Sequence, residues 1–218
     1  MSLRHRIDVI RVESEEDRRL GVEVLQATYA REKRWVDDPE EQIPREDLGR
    51  DDVSWFVVRV DRRPVGILRV LYDPPLDLYR EYDFELTVNG LDVEDFVRTN
   101  RIAEVGRFAV VPEYRRYVSV VAALMREASR ETVARGYTHY ITDVFEDDPH
   151  SPYRFHTRVM GFVPVATHRE GELRSRSRRI TLVLDLKQAY RRLRASGGMV
   201  YRLLTEGWDD QLHRLMST

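Results

Sequence analysis

An acidic and a basic side chain interrupt a segment that is otherwise rich in strand-forming residues. Glu104 and Arg107 lie within Ile102–Val111, which reads IAEVGRFAVV. An unpaired carboxylate is costly to bury in a central strand. Glu104 is therefore a candidate catalytic residue, acting as a general base or as an anchor for an ammonium group, or else the structural partner of an arginine. The sequence leaves both interpretations open.

Arg107 is the obvious partner for Glu104, but residues three apart in a regular strand point to opposite faces of a sheet. Their side chains would share a face only across a β-bulge, for which Gly106 is a suitable position. Arg107 is a candidate catalytic residue that orients a substrate carboxylate or phosphate, with a structural salt bridge as the alternative. Arg69, in the apolar segment GILRVLY, either faces solvent or binds substrate.

Three further polar residues, Asp143, Tyr153 and His156, lie near the end of a second strand and in the helix after it. Tyr153 and His156 are candidate proton donors to a leaving group, although a histidine such as His156 is more often a surface or packed residue. Asp143 is a candidate substrate ligand. The histidines and acidic residues between 139 and 156 lack the spacing of a metal site, so no metal is expected.

Two arginines open the helix that follows Ile102–Val111. Arg115 and Arg116 precede apolar residues that recur at helical spacing from Val118 onwards. Arginine is unfavourable at the positive end of a helix dipole, so an anionic ligand such as a phosphate would account for the pair. A solvated pair of side chains is the alternative.

Composition limits the classes of protein that the chain can represent. Its 218 residues suit one α/β domain, with 42% hydrophobic and 34% charged residues and a net charge of −2. The absence of cysteine excludes disulfides, thiolate metal sites and cysteine nucleophiles. The charge balance argues against a strong global field for nucleic acid or membrane. The chain lacks the apolar core of a signal peptide and any run long enough to span a bilayer, so a cytoplasmic protein is expected.

Hydrophobic periodicity predicts an alternation of strands and helices in one α/β (α+β) domain, with a mixed central sheet flanked by helices. The acidic residues 36–52 are predicted to form an exposed loop. The strands at 102–111 and 138–145 are predicted to be parallel, because the helix between them requires a right-handed crossover. The domain is expected to cover 1–186, with 187–218 as a C-terminal helical extension packed on it. The predicted elements are strands at Ile7–Val12, Val53–Val60, Val65–Tyr72, Ile102–Val111, Tyr137–Phe145, Phe162–Thr167 and Arg179–Leu184, and helices from Glu15 to about Lys33, at Val93–Thr99, from about 118 to 135, near Pro152–Met160 and at Lys187–Arg194.

Several local segments match motifs of one enzyme superfamily. VVPEYRR, between a strand and a helix, resembles the donor-binding motif of GNAT acyltransferases, and RVMGFVPV at 158–165 resembles their late Gly-Phe segment. Within the superfamily, AEVGRFAVVPEYRR and GILRVLYDP are similar to segments of autoinducer (acyl-homoserine lactone) synthases and long-chain N-acyl amino acid synthases. YAREKRWV, which contains Trp35, lies where those enzymes carry a comparable aromatic and charged stretch. The resemblance covers roughly residues 20–165.

The resemblance implies a GNAT-like sheet in which two parallel strands splay apart around an acyl thioester. The donor would be acyl-CoA or an acylated phosphopantetheine carrier. Glu104 and Arg107 would be catalytic, and His156 or Tyr153 would protonate the leaving sulfur. The resemblance implies backbone contacts to the donor from Phe108, Ala109 and Val110 and supports Arg69 as an acceptor contact. Arg115 and Arg116 are the candidates for the donor phosphates, and Trp35 and Asp143 are further candidate substrate contacts.

Two features depart from the superfamily pattern. Val118 and Val120 replace glycines whose backbone would approach the donor phosphates, and β-branched side chains would crowd that approach. Thr157 stands where the superfamily has its late tyrosine. The autoinducer synthases also lack the full glycine pattern, and many of them take acyl groups from acyl carrier protein, so the missing glycines favour such a donor.

The expected function is N-acyl transfer from a thioester to the amine of a small molecule, such as an amino acid derivative. An ordinary acetyl-CoA-dependent acetyltransferase and a non-catalytic module that binds acyl ligands are the alternatives. The arginine-rich segment His168–Arg179, with Lys187, Arg191, Arg192 and Arg194, is predicted to be a basic region, 168–194. It is either a solvated face or a dock for an acidic acyl carrier protein or anionic lipid. Nucleic acid is not expected there, because few aromatic residues interleave.

Overall fold

The described residues form one eight-stranded mixed sheet. A computed structural model describes residues 6–76, 84–88, 91–169, 171 and 173–217. The strand order is β1-β2-β3-β5-β6-β8-β7-β4, and every neighbouring pair is antiparallel except β5 and β6. The predicted parallel pair and the predicted fold class are therefore confirmed. The strands are β1 (Ile7–Arg11), β2 (Val53–Val60), β3 (Arg63–Tyr72), β4 (Glu85–Leu86), β5 (Ile102–Val110), β6 (His139–Phe145), β7 (Val163–His168) and β8 (Arg179–Asp185).

Six α-helices and five π-helical or 3-10 segments accompany the sheet within the described residues. Ser14 caps the first helix, because its hydroxyl accepts a hydrogen bond from the Asp17 backbone N–H over 3.1 Å. None of the described helices has both the length and the apolar character needed to cross a bilayer. The α-helices are α1 (Glu15–Leu25), α2 (Val93–Thr99), α3 (Val118–Ala134), α4 (Leu186–Ser196), α5 (Met199–Thr205) and α6 (Asp210–Ser217); π-helices cover Gln26–Glu32 and Phe155–Met160, and 3-10 turns cover Glu40–Gln42, Arg45–Gly49 and Pro112–Tyr114.

Helices α1 and α3 cover opposite faces of the sheet. A β-carbon on Gly21 of α1 would lie 2.9 Å from Cδ1 of Ile67, so α1 lies directly on that face of β3. A β-carbon on Gly66, the residue of β3 just before Ile67, would lie 3.2 Å from Cδ1 of Leu124 in α3. Because side chains alternate along a strand, the two helices bury the two faces of the same strand. Helices α5 and α6 pack on the outer side of α3.

The acidic segment 36–52 differs from the exposed loop that its composition predicts. Ile43 is fully buried, and its carbonyl accepts a hydrogen bond of 2.6 Å from Nε of the buried Arg18. Asp47 is also buried and accepts a hydrogen bond of 2.9 Å from Nε1 of Trp55. Most of the segment is exposed as predicted. The prediction was wrong at Ile43 and Asp47, because buried Arg18 and Trp55 provide donors that hold these two residues against α1 and β2. The prediction relied on the many acidic side chains of the segment, which are typical of an exposed loop.

Candidate active site

Strands β5 and β6 are paired over only part of their length. Their parallel pairing joins Ile102–Glu104 to His139–Ile141, and no further pair follows among the described residues. Beyond Glu104 the strands part, as the resemblance predicts. The gap leads into a cleft of about 450 Å³ that is lined by residues of the π-helix Gln26–Glu32, of β5 and β6, and of the start of α3. The cleft is within the usual size range for small-ligand sites.

The last residues of β5 present backbone groups to this gap. The N–H of Val111 donates to the Val65 carbonyl of β3 over 2.9 Å. Since successive residues of a strand direct their backbone groups to opposite edges, the N–H and carbonyl of Val110 face the gap. The Val110 carbonyl accepts a hydrogen bond of 2.9 Å from Nε of Arg115. Phe108, Ala109 and Val110, predicted as donor contacts, all line the cleft.

A β-bulge in β5 brings Glu104 and Arg107 into one site. Ile67 of β3 pairs with Ala109, and Arg69 pairs with Gly106, so β5 carries one extra residue between these pairs. Arg107 has φ of 50°, a left-handed conformation that costs a non-glycine residue about 1–3 kcal/mol. The bulge suggested by Gly106 is present, and both charged side chains line the cleft.

Arg69, rather than Arg107, is the hydrogen-bonding partner of Glu104. Nη2 of Arg69 donates to Oε1 of Glu104 over 2.6 Å, and the two side chains are 15% and 22% exposed. The residues are diagonal neighbours across β3 and β5, a distance that long side chains span. Arg69 also lies 6.0 Å from the Trp55 ring centroid. The alternative that Arg69 faces solvent is wrong, because it lines the cleft with its head group paired.

Trp35 closes one side of the cleft through aromatic contacts. Its ring lies 4.4 Å from Phe145 of β6 and 5.2 Å from Tyr29, centroid to centroid. Nζ of Lys33 lies 5.5 Å from the Trp35 ring and donates to the largely buried carboxylate of Asp148. Sequence reasoning did not single out Tyr29, Lys33 or Asp148 for the site. The first two belong to YAREKRWV, the stretch highlighted by the resemblance, so that signal was available.

Tyr29 contributes a neutral phenol to the cleft. Burial raises the pKa of Tyr29, and nearby Arg107 and Arg69 act in the opposite direction without reversing the shift. The phenol is consequently protonated at neutral pH and able to donate a hydrogen bond. Tyr29, Arg69 and Arg107 line the same cleft.

His156 is buried at the cleft and its ring nitrogens have no hydrogen-bond partner among the described residues. The ring lies among Phe108, Phe155 and Phe162, at centroid distances of 5.6, 5.7 and 4.8 Å. Burial lowers the pKa of His156 to about 3, so the imidazole is neutral at physiological pH. The surface alternative for this histidine is wrong. Tyr153 packs against the core but is not among the residues that line the cleft.

The two arginines before α3 have different environments. Both terminal nitrogens of Arg115 donate to the Glu32 carboxylate, and Arg115 lines the cleft. The side-chain hydrogen bond from Arg115 lowers the pKa of Glu32 despite its partial burial. A phosphate would therefore compete with Glu32 for Arg115. Arg116 is exposed outside the cleft lining, with its guanidinium 5.2 Å from the Tyr117 ring. Val118 also lines the cleft, at the start of α3.

The basic region 168–194 divides between the two ends of β8. Residues 169–178 precede β8, beside cleft residue Arg179, whereas Lys187 and the other basic residues of α4 follow it. A strand of seven residues spans about 20 Å, which separates the two groups. Within the hairpin, Arg178 pairs with Glu146 over 2.7 Å. Only the hairpin part lies next to the cleft.

Residues 20–162 match the model of the acetyltransferase (GNAT) family, which is more than half of the chain. The protein belongs to this family and is a transferase enzyme. The splayed β5–β6 pair and the cleft beside it correspond to the architecture that the resemblance implied, and the predicted membership of the GNAT superfamily is confirmed.

Solved structures of N-acyltransferases share the fold at low sequence identity. FeeM, an N-acyl amino acid synthase from uncultured soil microbes, superposes with a TM-score of 0.67 at 13% identity, covering 91% of this chain and 100% of its own. An aminoglycoside 6'-N-acetyltransferase complexed with coenzyme A gives 0.54 at 12% identity, covering 83% and 96%. The Escherichia coli ribosomal-protein-S18-alanine N-acetyltransferase gives 0.54 at 14% identity, covering 83% and 94%. No curated protein matches this chain by sequence.

Proposed function

We propose that this transferase moves an acyl group from an acyl thioester to the amine of a small molecule, such as an amino acid derivative. The observation that carries the proposal is the position of Glu104. It is the last residue of β5 that pairs with β6, it lines the cleft, and Arg69 fixes one of its carboxylate oxygens. A carboxylate held at the point where two parallel strands part is well placed to receive a proton from an incoming amine.

The reaction forms a C–N bond and breaks a C–S bond. The acceptor nitrogen gives one proton to Glu104, directly or through a water molecule, and its lone pair attacks the thioester carbonyl carbon. The resulting oxyanion would be stabilised by the N–H of Val110, which faces the gap. A preorganised donor of this kind is worth about 3 kcal/mol of activation free energy. Collapse of the intermediate expels the thiolate, which takes up a proton to leave as a thiol.

We assign the leaving-group side to His156. It lines the cleft, whereas Tyr153 does not. Because the ring is neutral, it would act through an N–H donor directed at the developing thiolate. Arg107 and Trp35 are assigned to acceptor binding, since the bulge and the contacts of Trp35 with Phe145 and Tyr29 bring both side chains to the cleft wall.

An acyl-CoA-type donor is consistent with membership of the family. A chain longer than acetyl is favoured by the apolar side chains that line the cleft between β5, α3 and the helix after β6, such as Phe108, Val121 and Phe155. Binding of coenzyme A phosphates is expected to be weak, because Arg115 is already paired with Glu32 and Val118 occupies the start of α3. We therefore include acyl carrier protein as a donor, with the hairpin 169–178 as its nearest basic surface.

Native mass spectrometry of the folded protein with coenzyme A, acetyl-CoA, a long-chain acyl-CoA and a carrier protein bearing the same chain tests the donor assignment. We expect a complex with a long-chain thioester that is stronger than the complex with acetyl-CoA. A preference for acetyl-CoA would instead indicate an ordinary acetyltransferase. A folded protein that binds none of the four would contradict the proposed donor class.

Gly106→Ala is expected to separate Arg69 from Glu104. A β-carbon at this position would lie 2.8 Å from Oε1 of Glu104 and 3.2 Å from Nη2 of Arg69, the two atoms that are hydrogen-bonded. Because a small misplacement of catalytic groups is costly, we expect the transfer rate to fall about tenfold or more with the fold retained. Gly49→Ala is the matched control, since a β-carbon there meets no atom within 4 Å. Equal rates for the two variants would contradict this role for the pair.

A further inference from the structure

A second carboxylate lies in the cleft on the same sheet face as Glu104. The register pairs Glu104 with Ile141 of β6, and Asp143 is two residues further along that strand, so its side chain points to the same face. Both carboxylates line the cleft. Neighbouring strands are about 4.8 Å apart and two residues advance about 6.6 Å, which puts the two α-carbons roughly 8 Å apart where the strands begin to part. That separation suits one small cationic group between the carboxylates.

One hydrogen bond and one close polar contact orient the Asp143 carboxylate. Oγ1 of Thr181, directly opposite on β8, donates to Oδ1 over 2.7 Å. Nε2 of His168 on β7 lies 3.1 Å from Oδ2. Thr181 and His168 are buried, whereas the Asp143 side chain is 28% exposed. The buried partners therefore orient the carboxylate and leave its remaining lone pairs on the cleft side.

The charge on Asp143 is not balanced in the way that the other cleft carboxylates are. Glu104 is paired with Arg69, and Asp148 is paired with Lys33. Among the described residues, Asp143 has a hydroxyl and an imidazole as partners, and neither an arginine nor a lysine. A fixed carboxylate with this environment attracts a cation from solution, and an ammonium group satisfies it with both charge and hydrogen bonds.

We propose that Asp143 binds the acceptor as an ammonium ion beside Glu104, and that His168 and Thr181 are positioning residues for Asp143. This inference rests on the proposed function and specifies its acceptor as an amine that is protonated at neutral pH. The bound ammonium transfers one proton to Glu104, and the neutral amine then attacks the thioester carbonyl carbon. The nitrogen loses its second proton as the C–S bond breaks, and that proton goes to the departing thiolate, which leaves as a thiol. Glu104 then releases its proton to solvent. Asp143 stays ionised throughout. It holds the nitrogen in the gap by accepting a hydrogen bond from one of the N–H groups that remain.

The test measures the KM of the acceptor and of the donor separately, using the amino acid that the wild-type protein acylates fastest. Asp143→Asn is expected to raise the acceptor KM about tenfold, the loss of one charged contact, and to leave the donor KM unchanged. Asp147→Asn is the matched control, because Asp147 is an exposed neighbour that does not line the cleft. A merely structural role for Asp143 would alter both constants together.

Variants at His168 and Thr181 test whether they act through Asp143. His168→Gln and Thr181→Val are each expected to raise the acceptor KM less than Asp143→Asn does. Adding either change to Asp143→Asn is expected to have no further effect, since coupled residues are non-additive. His139→Gln, at the opposite end of β6, is the control for loss of an imidazole.

The outcomes separate this inference from the proposed function. A wild-type protein that acylates no amine overturns both. If the wild-type protein transfers acyl groups and the Asp143→Asn and Asp147→Asn variants have the same acceptor KM, the inference is overturned and the proposed function stands. Thr181→Val keeps the test informative if His168→Gln does not fold, because valine is close to threonine in size.

Discussion

Glu104→Gln is expected to lower kcat/KM for acyl transfer by about 10²–10⁴, the usual contribution of a general base. Glutamine keeps the size of the side chain and can still accept a hydrogen bond from Arg69, but it cannot take up the amine proton. The variant should fold, because its strand pairing and the partner of Arg69 are retained. Steady-state kinetics with a saturating donor, alongside circular dichroism, measure the effect.

Glu146→Gln is the matched control for this result. Glu146 also pairs with an arginine, Arg178, over 2.7 Å, but it is exposed and lies outside the cleft lining. Its rate should remain close to that of the wild type. A folded Glu104→Gln variant with the same rate as Glu146→Gln would show that Glu104 is a structural partner of Arg69, the alternative that the sequence leaves open.

His156→Leu is expected to make the protein more stable and less active. Neither ring nitrogen of His156 has a hydrogen-bond partner among the described residues, and a buried unsatisfied polar group costs about 1–3 kcal/mol. Leucine removes both nitrogens at similar volume, so the free energy of unfolding should rise. The transfer rate should fall about tenfold to a hundredfold if the ring donates to the leaving sulfur. Denaturant unfolding and steady-state kinetics measure the two effects.

The stability gain should also depend on pH. Burial lowers the pKa of His156 to about 3, below the value of about 6.5 for an unfolded chain. The unfolded state therefore binds the proton first as pH falls, so the stability that depends on the neutral ring is complete above about pH 6.5 and is lost progressively towards about pH 3. The His156→Leu variant lacks this loss, and its advantage should be larger at about pH 5 than at about pH 8. An equal advantage at both pH values would contradict a buried neutral imidazole.

A variant at His139 is the control for both effects of His156→Leu. Nδ1 of His139 lies 2.9 Å from Oγ1 of Thr138, so this imidazole already has a partner, and it lies outside the cleft lining. His139→Leu should not raise stability and should leave the transfer rate unchanged. A matching gain in stability at His139 would mean that the effect at His156 does not come from its unpaired nitrogens.

Local sequence was sufficient for the elements of the site but not for its pairings. The strand at 102–111, its parallel partner and the bulge near Gly106 followed from β-propensity, crossover handedness and alternation. The Arg69–Glu104 contact depends on the register between two strands 35 residues apart, which no local pattern specifies. The contact between Asp143 and His168 likewise depends on the order β6-β8-β7, in which β8 lies between them.

Burial was the other property that the sequence did not reveal. His156 lies between Phe155 and Phe162 in the sequence, and the ring of Phe108 on β5 completes its apolar surroundings. Arg115 was predicted from its position at a helix start, and the structure adds Glu32, a competitor supplied by the end of the first helix. The contacts of Phe108 with His156 and of Glu32 with Arg115 join segments that are far apart in the chain, so local sequence does not specify them.

Mass analysis of the product is the most direct test of the central claim. The wild-type protein would be incubated with a long-chain acyl thioester carrying a ¹³C label in the acyl group, together with a mixture of amino acids, and Glu104→Gln would be run in parallel. The expected result is a labelled N-acyl amide with release of one free thiol per amide, and little of either from the variant. Hydrolysis of the thioester to free thiol and labelled fatty acid without any amide would contradict N-acyl transfer, and so would no reaction with any donor that the folded protein binds.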